Sequence, residues 1–159
     1  MKTLQLTVLA LLLVLGSCST TKVYNPHSDS SVIAHDTQGA VTLRGYGPEV
    51  ESKKGKGDRN AVKLAQKKAL QQLFYFGFVG TDFKNPMIRK GESVETKHKA
   101  YFDKFWESGY LRFVTDSKDT LYECKDEKNC VSASSVFTIN YNMLRKEFEN
   151  NKIINKIGF

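Results

Sequence analysis

Residues 110–150, YLRFVTDSKDTLYECKDEKNCVSASSVFTINYNMLRKEFEN, hold the pattern that decides the fold. The run 131–141 is strand-like: Phe137, Ile139 and Tyr141 alternate with Thr138 and Asn140, and a period of two places alternate side chains on opposite faces of a sheet. Two shorter runs precede it, YLRFVT and TLYEC, with DSKD between them reading as a turn. After the long run the period changes. Asn142 is placed to cap a helix in which Leu144 and Phe148 are i,i+4 neighbours. Strands gathered late in a chain and joined by polar turns predict an antiparallel meander, not alternating strand–helix units.

Cys124 and Cys130 flank the charged loop KDEKN between two of these runs, as the ends of a hairpin would. Such ends bring two Cα atoms within the roughly 4.4–6.8 Å that a disulfide permits, so the pair is expected to be bonded. Two cysteines with no histidine nearby would supply only half of a structural zinc site. The remaining alternative is two reduced thiols buried as small apolar groups.

Working back toward the N-terminus, residues 93–107 predict one helix. Val94, His98, Tyr101, Phe102, Phe105 and Trp106 share a face, with Lys99, Asp103 and Glu107 away from it. His98 in that aromatic stripe reads as a half-buried packing residue. A second helix starts at Asp58, a good N-cap, and carries Ala61, Val62, Ala65, Ala69, Leu73 and Phe76 on one stripe, with Gly77 as its stop. Before it lies SKKGKG at 52–57, which lacks the G-x-x-x-x-G-K-[ST] order of a phosphate loop and puts Asp58 where a phosphate would sit. Residues 40–46, AVTLRGY, read as a first strand with Val41, Leu43 and Gly45 on one side. These elements predict an α+β fold: a single domain over 39–159, a mainly antiparallel sheet, and about three helices packed on one of its faces.

The chain starts MKTLQLTVLALLLVLGSCST, where Lys2 and an apolar run lead to small residues and Cys18. That is the layout of a secretory signal over residues 1–17. The run is shorter than the roughly 20 residues a membrane span needs. Leu15-Gly16-Ser17-Cys18 resembles the bacterial lipobox, which implies cleavage before Cys18 and acylation of that cysteine with palmitate-type chains. Residues 18–38 are polar and aperiodic and are expected to be a flexible tether. His27, His35, Asp29 and Asp36 fall there, and read as surface groups of that tether more readily than as metal ligands.

The formal charge is +7, of which Lys2 alone belongs to residues 1–17. An exported protein meets no nucleic acid, so the excess points to anionic lipid, cell-wall polymer or acidic proteins, or simply to a solvated lysine-rich surface. Lys53, Lys54, Lys56 and Arg59 are the candidates for an anion site. In LFYFGFVG, residues 73–80, one helical face cannot bury every aromatic. Phe74, Tyr75 and Phe78 therefore either pack under the following loop or form a partner surface. No zinc-hydrolase H-E-x-x-H, nucleophile elbow or opposed carboxylate pair is present in the sequence, and no cofactor is expected.

With its lipobox, the strand VTLRGYG, the Ala- and Lys-rich helix from Asp58 and the closing VFTINYNMLRKEFENNKII, the chain resembles a group of small envelope lipoproteins. That group includes FlgP and proteins with a FlgT-type N-terminal domain. The resemblance implies a lipid-anchored, non-enzymatic α+β domain facing the periplasm from the outer membrane, which assembles with itself or with envelope proteins. A binding module for an anionic envelope ligand is the alternative, and a small hydrolase with an unrecognised site is the third reading.

Overall fold

The computed structural model describes residues 29–52, 56–125 and 128–156. Its elements are β1 (Ser31–His35), β2 (Ala40–Tyr46), β3 (Val50–Glu51), α1 (Lys56–Gln71), α2 (Ser93–Lys97), α3 (Lys99–Glu107), β4 (Val114–Glu123), β5 (Cys130–Asn140) and α4 (Tyr141–Asn150). A π-helical turn, Gln72–Phe76, extends α1, and a 3-10 turn, Gly109–Phe113, leads into β4. The fold is α+β, with one five-stranded antiparallel sheet, as the sequence predicts.

β5 is the central strand because it has partners along both edges. β4 pairs with it from Val114↔Ile139 to Glu123↔Val131. On the other edge β2 pairs from Ala40↔Asn140 to Tyr46↔Ser134, and β3 continues that edge at Val50↔Val131. Between β2 and β3 the chain stays attached through Gly47 N–H, which donates to Ala133 O (2.8 Å). β1 adds outside β2. Along β2 the residues Val41, Leu43 and Gly45 are buried and their neighbours half-exposed, so the helices cover one face of the sheet.

What lets α1 lie on that face is the absence of side chains. Ala61, Ala65 and Ala69 recur every fourth residue and are fully buried. They meet the two glycines of RGYG. A Cβ on Gly45 would stand 2.0 Å from the Ala65 carbonyl oxygen, and one on Gly47 would stand 2.5 Å from that of Ala61. The glycines therefore serve close helix–sheet contact.

Past the sheet, α1 feeds an aromatic core. Phe74 packs its ring against Phe148 (5.0 Å between centroids), Trp106 (5.8 Å) and Phe105 (5.9 Å). Gln66 is a buried polar side chain here: it donates to Ser117 and Ser135 hydroxyls (both 3.1 Å) and accepts from Tyr110 Oη (2.9 Å). Both ends of its amide are satisfied, as a buried polar side chain requires.

Several boundaries differ from the sequence reading. The body does not start at residue 39: 31–35 is a strand, and Asp36 closes its hairpin by accepting from Gln38 and Ala40 N–H groups (2.9 and 2.7 Å). Its five residues, SVIAH, lie within a polar stretch and bury no face at a regular period, so no pattern marked them. DSKD is no turn either. It lies inside β4, where Lys118 opposes Val136 and Asp119 opposes Ser135, while most of YLRFVT forms the 3-10 turn. An edge strand tolerates such charges because one side remains in water. The helix expected over 93–107 breaks at His98 (φ −114°, ψ 37°), giving α2 and α3. The break lets Val94 and the Phe102, Phe105 and Trp106 face all reach the core, with His98 left half-exposed.

Two caps also move by position. Asn140, not Asn142, caps α4 by accepting from Met143 N–H (2.9 Å), while Asn142 Nδ2 donates to Gln38 O (3.2 Å). Asp58 lies in the first turn of α1, two residues after its start, and accepts from Ser52 Oγ (2.8 Å). It still places negative charge at the positive end of the helix.

Candidate functional site

The residues singled out from sequence fall in separate places. Cys18, Lys53, Lys54 and the side chain of Lys56 lie outside the described residues, as does His27. Arg59 is exposed on the first turn of α1. Cys124 and Cys130 form a disulfide with Cα atoms 5.4 Å apart, closing the β4–β5 hairpin. Glu49 lies beside both sulfurs. Sulfurs bonded to each other are not the thiolates a zinc site uses, so this trio is no metal centre. His35 pairs with Asp82 (2.9 Å) and Asp36 is spent on its turn, which disperses the histidine–aspartate group of the N-terminal segment.

Phe74, Tyr75 and Phe78 do not form a partner surface: all three are buried. The π-helical turn explains the difference. Gly77 N–H donates to Gln72 O (2.8 Å), an i→i+5 bond that shifts the helical phase by one residue. Phe74 and Tyr75 swing inward, and Phe76, expected in the buried stripe, points outward. Phe76 is 60% exposed and Val79 96% exposed. They sit on a turn held from several sides: Phe78 N–H donates to Phe83 O (2.7 Å), Thr81 Oγ1 to Phe78 O (2.8 Å) and Gln72 Nε2 to Gly77 O (2.8 Å). An ordered turn thus holds two apolar side chains in water. The π turn was the missing signal, and no sequence period announces it.

Tyr75 is anchored from within. Its hydroxyl donates to Glu95 Oε1 (2.5 Å), which also accepts from Trp106 Nε1 (3.0 Å), and Lys67 Nζ lies 5.1 Å from the Trp106 ring centroid. Burial, then the Glu95 hydrogen bond, pushes the Tyr75 phenol well above its usual range. A tyrosine held neutral beside a carboxylate that accepts from it is a fixed strut, and it offers no base or nucleophile at neutral pH.

A second feature lies on the other side of the 77–92 segment. There the chain from Asp82 to Lys90, α4 and the stretch after Ile153 enclose a cleft of about 560 Å³. Arg89, Lys90, Arg145 and Lys156 line it with one carboxylate, Asp82. Phe83 and Tyr141, edge to face at 5.2 Å, form an aromatic wall. Nothing in the sequence groups these residues. They come from three distant segments and share no spacing.

Among known proteins, no family model, no curated protein and no solved structure matches this chain.

Proposed function

We propose that this protein is a lipid-anchored envelope lipoprotein, held by acylated Cys18 and facing the periplasm, that acts as a non-enzymatic structural or assembly factor through protein–protein contacts. Its lipobox-like Leu15–Cys18 segment and its resemblance to the FlgP and FlgT-type group support the anchoring. The observation that carries the assembly role is the pair Phe76 and Val79. The hydrogen bonds of Phe78, Thr81 and Gln72 fix the turn, so little conformational entropy remains to be lost when a partner covers these side chains. Apolar anchors on rigid backbone are what the centre of a protein interface requires.

The test places a photo-crosslinking amino acid at Val79 in the full chain, produced in a bacterium that processes lipoproteins. One discrete adduct is expected, lost on Phe76→Ser with the melting temperature little changed, as for most exposed substitutions. Cys18→Ala should leave an unprocessed precursor that lacks acyl chains. No adduct, or an adduct indifferent to Phe76→Ser, would refute the assembly role. Unchanged processing of the Cys18→Ala chain would refute the anchor.

A further inference from the structure

The cleft between the 82–90 segment, α4 and residues 153–156 is separate from the Phe76–Val79 turn. From its geometry we infer that it binds a small amphiphilic anion: a carboxylate or phosphate head on a short apolar body.

Its size suits such a ligand, since about 560 Å³ lies within the roughly 300–1,000 Å³ of small-molecule sites. Its charge is one-sided. Among the described residues, four cationic side chains line it against a single carboxylate, and that carboxylate, on Asp82, is engaged by His35 Nε2 (2.9 Å). Arg145 is the best placed of the four. Its side chain is only 26% exposed and forms an ion pair with Glu149, Nε lying 3.2 Å from Oε1. That pair engages the Nε side of the guanidinium, and its two NH₂ groups can receive two oxygens of a ligand, the fork geometry in which arginine holds carboxylates and phosphates. Arg89, Lys90 and Lys156 are exposed and add charge at the rim.

The remaining lining is apolar and firmly held. Met87 and Ile153 are buried in the floor. Met87 N–H donates to Leu73 O (3.2 Å), and Ile153 N–H to Phe148 O (2.9 Å), so both are tied to the core. Phe83 and Tyr141 form the wall. A bare inorganic anion would use the arginine but leave this surface wet. A neutral apolar molecule would make no use of the four cations. An amphiphilic anion satisfies both sets together.

The test uses the chain from residue 18 onward with Cys18→Ser, which contains every element of the folded body. Calorimetric titration compares n-octyl phosphate and octanoate with inorganic phosphate and n-octyl glucoside, all below their micelle concentrations. Octyl phosphate, octanoate or both should bind saturably at one site, with inorganic phosphate and octyl glucoside at least about tenfold weaker, as expected when either half of the recognition is missing. Arg145→Gln should weaken the bound amphiphile by about tenfold or more, the loss of one charge-assisted contact. Lys90→Gln, at an exposed position where folding is not at risk, should weaken it by less. Equal binding of inorganic phosphate, equal binding of octyl glucoside, absence of saturable binding by both amphiphiles, or an affinity unchanged in a folded Arg145→Gln protein would each overturn the inference.

Discussion

Replacing Gly45 by alanine adds one carbon where there is no room for it. That carbon would stand 2.0 Å from the Ala65 carbonyl oxygen, 2.8 Å from its carbon and 3.0 Å from Ala69 Cβ. A carbon and a carbonyl oxygen sit comfortably at about 3.3 Å, so α1 must retreat from the sheet by roughly 1.3 Å. Backbone cannot rotate aside as a side chain could. A gap of even about 1 Å forfeits up to half of the dispersion well for each atom pair along it, and Ala61, Ala65 and Ala69 all lie on that seam. The expected cost is therefore at the upper end of overpacking, about 3 kcal/mol. With a slope near 2 kcal/mol per molar urea, the unfolding midpoint should fall by about 1.5 M. Gly80→Ala is the control. Its new carbon would meet nothing within 4 Å, so only the backbone penalty of φ +80° applies, about 1–2 kcal/mol. If Gly45→Ala lowers the midpoint by less than Gly80→Ala does, the glycines are not there to admit the helix.

Two further outcomes follow from chemistry already described. Replacing both Cys124 and Cys130 by serine should lower stability by about 2 kcal/mol, the chain-entropy value for so short a closed loop; thiol titration of the unreduced parent should find neither of these two sulfurs free. Burial, reinforced by the Asp119 charge, pushes Tyr110 up to about 12, so its contribution to stability is complete below about pH 10 and declines as pH rises through that raised value. Tyr110→Phe should flatten this alkaline decline in urea midpoints; an unchanged slope would show that the phenol does not stay neutral in the fold.

Elements with a strong period were legible in the sequence. β2 was marked by Val41, Leu43 and Gly45, and α1 by its alanines, because burial of one face leaves a mark every second or fourth residue. The Cys124–Cys130 pairing could be read from the hairpin that contains it. The first half of β4 could not, because its edge-strand residues TDSKD look like loop, nor could β1, a five-residue, mostly exposed run with no buried face to mark it. The aromatic segment misled for a different reason. Its composition left two outcomes open, rings packed under the following loop or rings exposed, and an i→i+5 turn decides between them by burying Phe74, Tyr75 and Phe78 and exposing Phe76. The basic cleft was invisible because Arg89, Arg145 and Lys156 become neighbours only after folding.

The place of β1 at the edge has a mechanical consequence. Under the anchoring proposed above, the body would be pulled on through Ser31, and β1 would be the first described element under load. Among the described residues it pairs with β2 alone, over a handful of positions interrupted by a bulge between Val32 and Ala34, so it would peel away pair by pair instead of resisting as a block. Its last hold is at His35, through Asp82 and the edge of the Phe83 ring. Once that yields, residues 31–38 add about 27 Å of slack at roughly 3.4 Å each. Behind it, β2 remains clamped between β5 and α1 by the Gly45–Ala65 contact. The strand would act as a take-up spring, lengthening the leash under tension while the body it holds stays folded.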